Sequence, residues 1–323
     1  MDGPIGKDRV MDLVTIDDVR AAAKRIEGVA VRTPLLPCRW ADGLWLKPEN
    51  LQPIGAFKIR GAVNAVGALS DEQAAAGVIT HSSGNHGQAL AFAAAARGIP
   101  VTIVVPNVAP QVKVDAMREL GAQVLLVPPS ERLTMTEKLA AESGMTMIPP
   151  FDHHDVIAGQ GTTGCEILAD LPDVQAVLVP IGGGGLASGV AVAIKETNPA
   201  VQVIGVEPEL AADAAESLRA GRLVRWTDEQ RYRTSADGVR TNICERTFAH
   251  LKKYLDGVVT VSEEEITAAI GVLARKAHLV AEPSGALTTA AHLCHRAELP
   301  TGSVVAVVSG GNIEPAALLA ALA

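Results

Sequence analysis

Short apolar runs alternate with Ala-rich helical segments along this 323-residue chain, and this alternation limits the folds that it can adopt. PVTIVVP and AQVLLVP enclose the helical segment QVKVDAMRELG, which predicts a βαβ unit with parallel strands and a right-handed crossover. The alternation returns in the second half at AVLVPIG and VQVIGVEP. Hydrophobic residues form 48% of the chain and aromatic residues only 3%, as is typical of parallel sheets covered by helices. An α/β fold is therefore expected.

The alternation of apolar and helical segments is interrupted near MTMIPPFDHHDV. We expect about eight to ten strands in the whole chain. This predicts two open, twisted, mostly parallel sheets with helices on both faces, and a small domain inserted into a large one. The large domain would comprise residues 1–70 and 150–323, and the small domain would comprise residues 71–149. The first ordered element is expected at Thr15, where T-I-D-D offers a capping box.

Charge and cysteine usage exclude several classes of protein. Lys and Arg number 28 against 36 Asp and Glu, and the net charge of −8 gives no support for a nucleic-acid partner. The four cysteines form no C-x-x-C pair, which favours reduced thiols over a disulfide scaffold or a zinc site. The N-terminus has no apolar signal region. We expect a cytoplasmic protein with a small-molecule substrate.

One uncharged run, from Ala176 to Ile194, is long enough to resemble a membrane span. It contains Pro180 and five glycines, so a strand, a loop and a helix are predicted instead, with no membrane partner.

Four consecutive glycines, Gly182 to Gly185, lie between an apolar strand and a helix in this run. Successive backbone N–H groups at a helix N-terminus bind anions, so the loop predicts a phosphate site. The glycines also fit the pattern G-x-G-x-x-A, and Glu207 ends the next strand 25 residues after Gly182. A nicotinamide-dependent dehydrogenase is therefore an alternative.

Two further polar turns follow apolar strands. HSSGNHGQAL contains Ser82, Ser83 and Asn85, which can bind a carboxylate through hydroxyl, amide and backbone groups. VVSGGN places Ser309 to Asn312 after the last strand. Parallel sheets bind their ligands at the carboxyl ends of strands, so these turns and the glycine loop are expected to form one site.

Lys58 lies in the apolar, glycine-punctuated segment PIGAFKIRGA. Taken alone, this segment predicts a helix start with Lys58 and Arg60 in solvent. Together with a phosphate loop and polar turns, it indicates a lysine that binds a phosphorylated aldehyde covalently. Arg60 is still expected on the helix surface.

Six motifs occur in a fixed order, GAFKIRGA, SSGNHGQALA, IAGQGT, GGGGLASG, EPSGA and SGGN. In this combination the chain resembles the fold-type II pyridoxal-phosphate enzymes of the serine/threonine dehydratase and serine racemase group, from about Thr15 onward. The resemblance implies pyridoxal 5'-phosphate as cofactor and a fold like that of the tryptophan synthase β subunit. The family usually has Ser-Phe-Lys, whereas this chain has Ala56 before Phe57.

The resemblance implies a role for each residue at the cofactor. Lys58 would bind it covalently, Phe57 would lie near its ring, and Asn85 would bond to its ring hydroxyl. Ser309 would face the pyridine nitrogen. The phosphate would be bound by five residues of the glycine loop: Gly182, Gly183, Gly184, Gly185 and Leu186.

The substrate carboxylate would be held by Ser82, Ser83, Asn85 and His86. Ser83 would lie on the ring face opposite Lys58, where the racemases of this group have a second acid/base. The resemblance also implies a divalent-cation site, for Mg²⁺, Mn²⁺ or Ca²⁺, at Glu207, Ala211 and Asp213. The alternative for this acidic segment is a solvated turn.

The expected activity is a β-elimination that converts L-threonine and/or L-serine to a 2-oxo acid and ammonia. Serine racemase and threo-3-hydroxyaspartate dehydratase are the alternatives within the family, and the latter needs a further cation, for which Lys113, Arg132 and Arg240 are candidates. We expect a homodimer. The chain ends at Ala323, soon after SGGN, so we expect no C-terminal regulatory domain of the kind that biosynthetic threonine dehydratases carry.

Overall fold

The computed structural model describes residues 12–323, in which ten strands form two sheets. The strands are β1 Leu36–Pro37, β2 Leu44–Pro48, β3 Val78–His81, β4 Val101–Pro106, β5 Gln123–Val127, β6 Thr146–Met147, β7 Ala176–Pro180, β8 Gln202–Pro208, β9 Gly257–Val261 and β10 Val304–Val308.

Fourteen α-helices connect and cover these strands within the same residues. They are α1 Ile16–Arg25, α2 Lys58–Gly67, α3 Asp71–Ala76, α4 Asn85–Ala95, α5 Gln111–Glu119, α6 Arg132–Ser143, α7 His154–Asp170, α8 Gly185–Lys195, α9 Asp213–Ala220, α10 Asp228–Arg231, α11 Glu245–Tyr254, α12 Glu263–Val272, α13 Pro283–Cys294 and α14 Pro315–Leu322. Helix α1 begins with the predicted capping box, in which Thr15 and Asp18 bond to each other's backbone N–H groups.

The larger sheet has the strand order β1-β2-β10-β7-β8-β9, in which only the β1–β2 pair is antiparallel. The smaller sheet has the order β5-β4-β3-β6 and is parallel throughout. The prediction of two mostly parallel sheets is confirmed. All four strands of the smaller sheet lie within residues 71–149, but the division of the chain into two domains stays a prediction.

Helices cover both faces of the larger sheet because its central strands are apolar on both sides. Val177, Val179 and Val305 pack on one face against α7 and α8, and Leu178 and Ala306 pack on the other against α12 and α13. The uncharged run from Ala176 to Ile194 forms β7, the glycine loop and α8, as predicted. None of the helices in residues 12–323 has the length and apolar character to cross a membrane.

Helix α2 lies where the two sheets meet, in contact with α4 of the smaller sheet and with α7 of the larger. Small residues permit this close packing. A Cβ atom on Gly159 of α7 would lie only 2.6 Å from the carbonyl oxygen of Arg60 in α2. The position of α2 is therefore fixed by its packing against both α4 and α7.

Arg60 does not lie on the helix surface, as the sequence predicted, but is fully buried. Its guanidinium donates to both oxygens of Glu49 at 2.7 and 2.8 Å and to both oxygens of Glu166 at 2.7 and 2.8 Å. Lys47, also fully buried, donates to Glu166 at 2.6 Å. Two positive and two negative charges thus balance in the interior and tie β2, α2 and α7 together.

We predict that Arg60→Ala lowers the free energy of unfolding by about 3–5 kcal/mol, because it leaves two carboxylates without their shared cation. Urea denaturation of the apoprotein measures this change. The matched control is Arg20→Ala, which removes an exposed ion pair with Asp17 and should change stability by less than about 0.5 kcal/mol. Equal effects of the two substitutions would contradict the prediction.

Candidate active site

Lys58 is the first residue of α2, and its amine is held inside the protein. Its Nζ donates to the carbonyl oxygen of Pro150 at 2.9 Å and lies 5.0 Å from the centroid of the Phe57 ring. Burial lowers the pKa of the Lys58 amine to about 8, although the nearby Glu282 carboxylate acts in the opposite direction. A lysine with this pKa is partly unprotonated near neutral pH and can act as a nucleophile or base.

The turn after β10 packs directly against the segment before Lys58. The N–H of Phe57 donates to the carbonyl oxygen of Ser309 at 3.0 Å, and Ala56 pairs with Gly310 in an antiparallel bridge. Ala56 is fully buried in this contact. The hydroxyl of Ser309 donates to the carbonyl oxygen of Ser284 at 3.3 Å, so this neutral side chain is held in one orientation. Ser309 and Lys58 are thus brought together from opposite ends of the chain.

The glycine loop offers a row of free donors. Within residues 12–323, no backbone N–H from Gly182 to Ala187 donates to a protein acceptor. Gly184 has φ +86°, a conformation that L-residues rarely adopt, and a Cβ atom on Gly183 would lie 2.2 Å from the Phe151 ring. This donor set at the N-terminus of α8 fits a phosphate group. Phe151 adjoins Pro150, the acceptor for Lys58, so the loop and the lysine are neighbours.

The turn between β3 and α4 holds Ser82, Ser83, Asn85 and His86. The Ser82 hydroxyl accepts from the N–H of Gly84 at 3.2 Å, whereas the N–H groups of Ser83, Asn85 and His86 donate to no acceptor among the described residues. Since His86 Nε2 lies 2.9 Å from the carbonyl oxygen of Ile148, this nitrogen carries the proton. Burial, with the positive charge of Lys58, lowers the pKa of His86 to about 3. The neutral imidazole therefore has no second N–H for a carboxylate.

Asn85 has two partners that the sequence did not assign. Its Nδ2 donates to Glu282 Oε1 at 2.8 Å, and its Oδ1 accepts from Asn312 Nδ2 at 2.8 Å. Burial raises the pKa of Glu282 to about 8, and the carboxylate of Asp237 adds to the rise. Both partners lie in recognised motifs, EPSGA and SGGN, which is the signal that could have identified them.

Of the predicted metal residues, Glu207 lies at the end of β8, Asp213 begins α9, and the buried Ala211 lies between them in the chain. Glu207 accepts from the N–H groups of Ala214 and Ala215 at 3.0 and 2.7 Å, and Asp213 accepts from the N–H of Ile243 at 2.9 Å. Burial and the charge of Asp213 raise the pKa of Glu207 well above its usual range, and burial raises that of Asp213 to about 6.

This segment is not the solvated turn that was the alternative, since both carboxylates are buried. Among residues 12–323 neither carboxylate has a salt bridge, and no group of three or more His, Cys, Asp and Glu side chains could hold a metal. Because Glu207 is fully buried and bonded to backbone N–H groups, it does not serve as the ribose contact that a nicotinamide enzyme needs.

The structure thus connects the Lys58 segment to the three polar turns, directly at Ser309 and through Pro150, Phe151 and Asn312 to the other two, whereas Glu207 and Asp213 accept from backbone N–H groups that follow β8. An amine of lowered pKa near a loop of backbone N–H groups without acceptors among residues 12–323 fits pyridoxal phosphate, which carries an aldehyde and a phosphate.

Comparisons with known proteins show the family of this chain. Residues 26–310 match the family model described as pyridoxal-phosphate dependent enzyme. The chain is 44% identical over 310 residues to an L-threonine ammonia-lyase of Thermotoga maritima, covering 94% of this chain and 76% of that protein. It is 40% identical over 312 residues to an L-threo-3-hydroxyaspartate ammonia-lyase of Saccharomyces cerevisiae, covering 94% and 95%.

A solved serine racemase from Dictyostelium discoideum has a TM-score of 0.88 and 38% identity to this chain, covering 93% of this chain and 99% of that one. The half-buried lysine, the glycine loop and this fold have one common explanation. The chain belongs to the fold-type II pyridoxal-phosphate-dependent enzymes, in the group that contains threonine ammonia-lyases, hydroxyaspartate ammonia-lyases and serine racemases.

Proposed function

We propose that this enzyme is an ammonia-lyase that eliminates water from L-threonine and/or L-serine, after which the enamine product is hydrolysed to a 2-oxo acid and ammonia. The observation that carries the proposal is that the Lys58 segment is connected to all three polar turns, with Asn312 as the link between Ile54 and Asn85. Lys58 reaches the glycine loop through Pro150 and Phe151, and Phe57 bonds to Ser309. The relatives named as ammonia-lyases support the reaction type.

Pyridoxal phosphate, when bound, supplies an electron sink that acidifies the Cα–H bond of an amino acid. Lys58 would hold this group and then, as a free amine, remove the Cα proton, for which its lowered pKa suits it. Phe57 would lie near the ring and Asn85 would donate to the ring hydroxyl. The five residues from Gly182 to Leu186 would bind the phosphate through backbone N–H groups.

Ser309 would face the pyridine nitrogen. Its hydroxyl carries no charge that would keep this nitrogen protonated, which weakens the electron sink and favours prompt loss of the β-hydroxyl over long-lived carbanion chemistry.

The substrate carboxylate would bind at the N-terminus of α4. The hydroxyls of Ser82 and Ser83 and the free N–H groups of Ser83, Asn85 and His86 form the donor set. His86 would contribute its backbone N–H, because its ring nitrogen is already bonded to Ile148. Ser83 would face the substrate from the side opposite Lys58, which would allow racemisation as a second activity.

We predict that Lys58→Ala lowers kcat/KM for ammonia release by about 10³-fold or more, because it removes the general base. The matched control is Lys138→Ala, which changes an exposed lysine on α6 and should leave turnover unchanged. L-threonine, L-serine, D-serine and threo-3-hydroxyaspartate are assayed for both the 2-oxo acid and the opposite enantiomer. Substantial 2-oxo acid release by the Lys58 variant, or inversion of serine without elimination, would contradict the proposal.

Arg132 favours threo-3-hydroxyaspartate as a second candidate substrate. Of the three candidate cations, Lys113 bonds to Asp237 at 3.0 Å and Arg240 donates to the carbonyl oxygen of Thr234. Arg132 Nε is buried without a hydrogen-bond partner among the described residues. The charge of Arg132 also lowers the pKa of His81, after the larger effect of burial, so the guanidinium lies near the residue that precedes Ser82. It is the candidate best suited to bind a second carboxylate.

We predict that Arg132→Met lowers kcat/KM for threo-3-hydroxyaspartate by about 10- to 100-fold, which is the usual range for a lost charge-assisted hydrogen bond. Activity with L-serine, which has no second carboxylate, should stay within about twofold. Arg118→Met, at an exposed ion pair with Asp115, is the control. Equal losses with both substrates would exclude Arg132 as the specificity residue.

We propose a divalent-cation site at Glu207, the Ala211 carbonyl and Asp213, completed by water. Two buried carboxylates without a salt-bridge partner among residues 12–323 provide hard oxygen ligands of the kind that Mg²⁺, Mn²⁺ and Ca²⁺ prefer.

We predict that Mg²⁺ raises the thermal unfolding midpoint of chelator-treated protein by about 2 °C or more, because a ligand that binds only the folded state stabilises it. Glu207→Gln and Asp213→Asn should abolish this rise, and K⁺ serves as the control cation. If Mg²⁺ leaves the wild-type midpoint unchanged, these residues do not form a metal site.

The homodimer and the cytoplasmic location stay predictions. Sedimentation of the holoenzyme measures the first directly.

A further inference from the structure

Four residues at the candidate site form a chain of hydrogen bonds whose direction is fixed at one end. Asn312 Nδ2 donates to the carbonyl oxygen of Ile54 at 2.9 Å and to Asn85 Oδ1 at 2.8 Å. A backbone carbonyl can only accept a hydrogen bond, so Asn312 must turn its amide nitrogen toward Ile54. Both hydrogens of this nitrogen are then used, and Asn85 must face Asn312 with its oxygen.

Glu282 completes the chain at the other end. Asn85 Nδ2 donates to Glu282 Oε1 at 2.8 Å, and this carboxyl oxygen can accept in either protonation state. Glu282 is only 5% exposed, and its own N–H donates to the carbonyl oxygen of Gly310 at 3.0 Å. A Cβ atom on Gly310 would lie 2.4 Å from Glu282 Oε1, so only glycine leaves room for this contact.

One donor of the Asn85 amide is left over. Of the two hydrogens on its Nδ2, one is bonded to Glu282, and the other has no acceptor among residues 12–323. Without Asn312 and Glu282 the amide could rotate by half a turn at little steric cost, since its oxygen and nitrogen ends have nearly the same shape. The carbonyl oxygen of Asn85 would then lie where its free N–H had been.

We propose that Asn312 and Glu282 are positioning residues, which fix the Asn85 amide so that an N–H, and not its carbonyl oxygen, faces the cofactor. This inference rests on the proposed contact of Asn85 with the ring hydroxyl. A donor at this position stabilises the deprotonated oxygen, whereas a rotated amide would repel it. The SGGN and EPSGA motifs would thus act on the cofactor through Asn85.

The main experiment compares the holoenzyme with Asn312→Asp. A carboxylate has no N–H for Ile54 or Asn85, so the amide of Asn85 loses its fixed direction. We expect the pH titration of the visible cofactor band to shift by about one unit, and the cofactor to bind about tenfold more weakly, which correspond to one lost charge-assisted hydrogen bond. Both are measured without substrate, by absorbance and by equilibrium dialysis.

The matched control is Asn50→Asp. Asn50 also donates through Nδ2 to a backbone carbonyl, that of Val280 at 2.9 Å, and it lies against the same turn at Gly311. It has no contact with Asn85 among the described hydrogen bonds, so its cofactor band and cofactor affinity should match those of the wild type. A shift as large as that of Asn312→Asp would overturn the proposal.

Glu282 is tested with two substitutions. Glu282→Gln keeps a carbonyl oxygen that can accept from Asn85, so the visible band should remain that of the wild type, whereas Glu282→Ala should shift it. If Glu282→Gln shifts the band as much as Glu282→Ala, the charge of Glu282 and not its acceptor role matters, and the proposal is wrong. If Asn312→Asp does not fold, the comparison of Glu282→Gln with Glu282→Ala tests the proposal in its place.

A double-mutant cycle separates positioning from a merely structural role. In the Asn85→Ala background, Asn312→Asp should cause no further shift of the band, because its effect passes through Asn85. An undiminished further shift would overturn the proposal. If Asn85→Ala alone leaves the band unchanged, the proposed cofactor contact itself is wrong, and with it the basis for the two positioning residues. A wild-type band in Asn312→Asp, beside a changed band in Asn85→Ala, would refute the positioning role alone.

Discussion

The guanidinium of Arg60 joins α2 to β2 and α7 in the interior of the protein, two residues after the lysine that serves as the candidate covalent anchor. A single buried cation would be costly, but here the carboxylates of Glu49 and Glu166 balance the charges of Arg60 and Lys47, and each carboxylate accepts two hydrogen bonds from Arg60. Since Lys58 is the first residue of the same helix, the network fixes the start of α2 and so the place from which the amine enters the site.

Four ionisable groups at the two candidate sites, by contrast, have no oppositely charged partner in the described part of the chain. Lys58 and Glu282 have no salt bridge among residues 12–323, and burial moves the pKa of each to about 8. Glu207 and Asp213 are likewise buried without a cation partner in the described part of the chain. Paired charges stabilise the fold. Buried groups without a partner have shifted pKa values and remain reactive, which is why shifted pKa values are common at functional sites. In this enzyme the unbalanced amine lies where three strand-end turns meet.

Local sequence patterns were sufficient to predict helices, strands and the fold class. The alternation of apolar runs and Ala-rich segments predicted the parallel sheets, and Thr15 predicted the first helix cap. The order of six motifs predicted the family. These patterns did not predict which side chains far apart in the sequence pair with each other. Arg60 was expected in solvent, since periodicity places a residue on a helix face but does not show that another layer covers that face.

The sequence by itself determined that this chain forms a two-sheet α/β protein of the pyridoxal-phosphate family, with Lys58 and the four-glycine loop as its principal chemical features. These are local properties, since they depend on neighbouring residues and on turns that only glycine permits. The tertiary structure alone decided which partners the polar groups find, such as Glu282 and Asn312 for Asn85. The reason is that a hydrogen bond depends on distance and direction in space, and residues 85, 282 and 312 meet only after the sheets have packed.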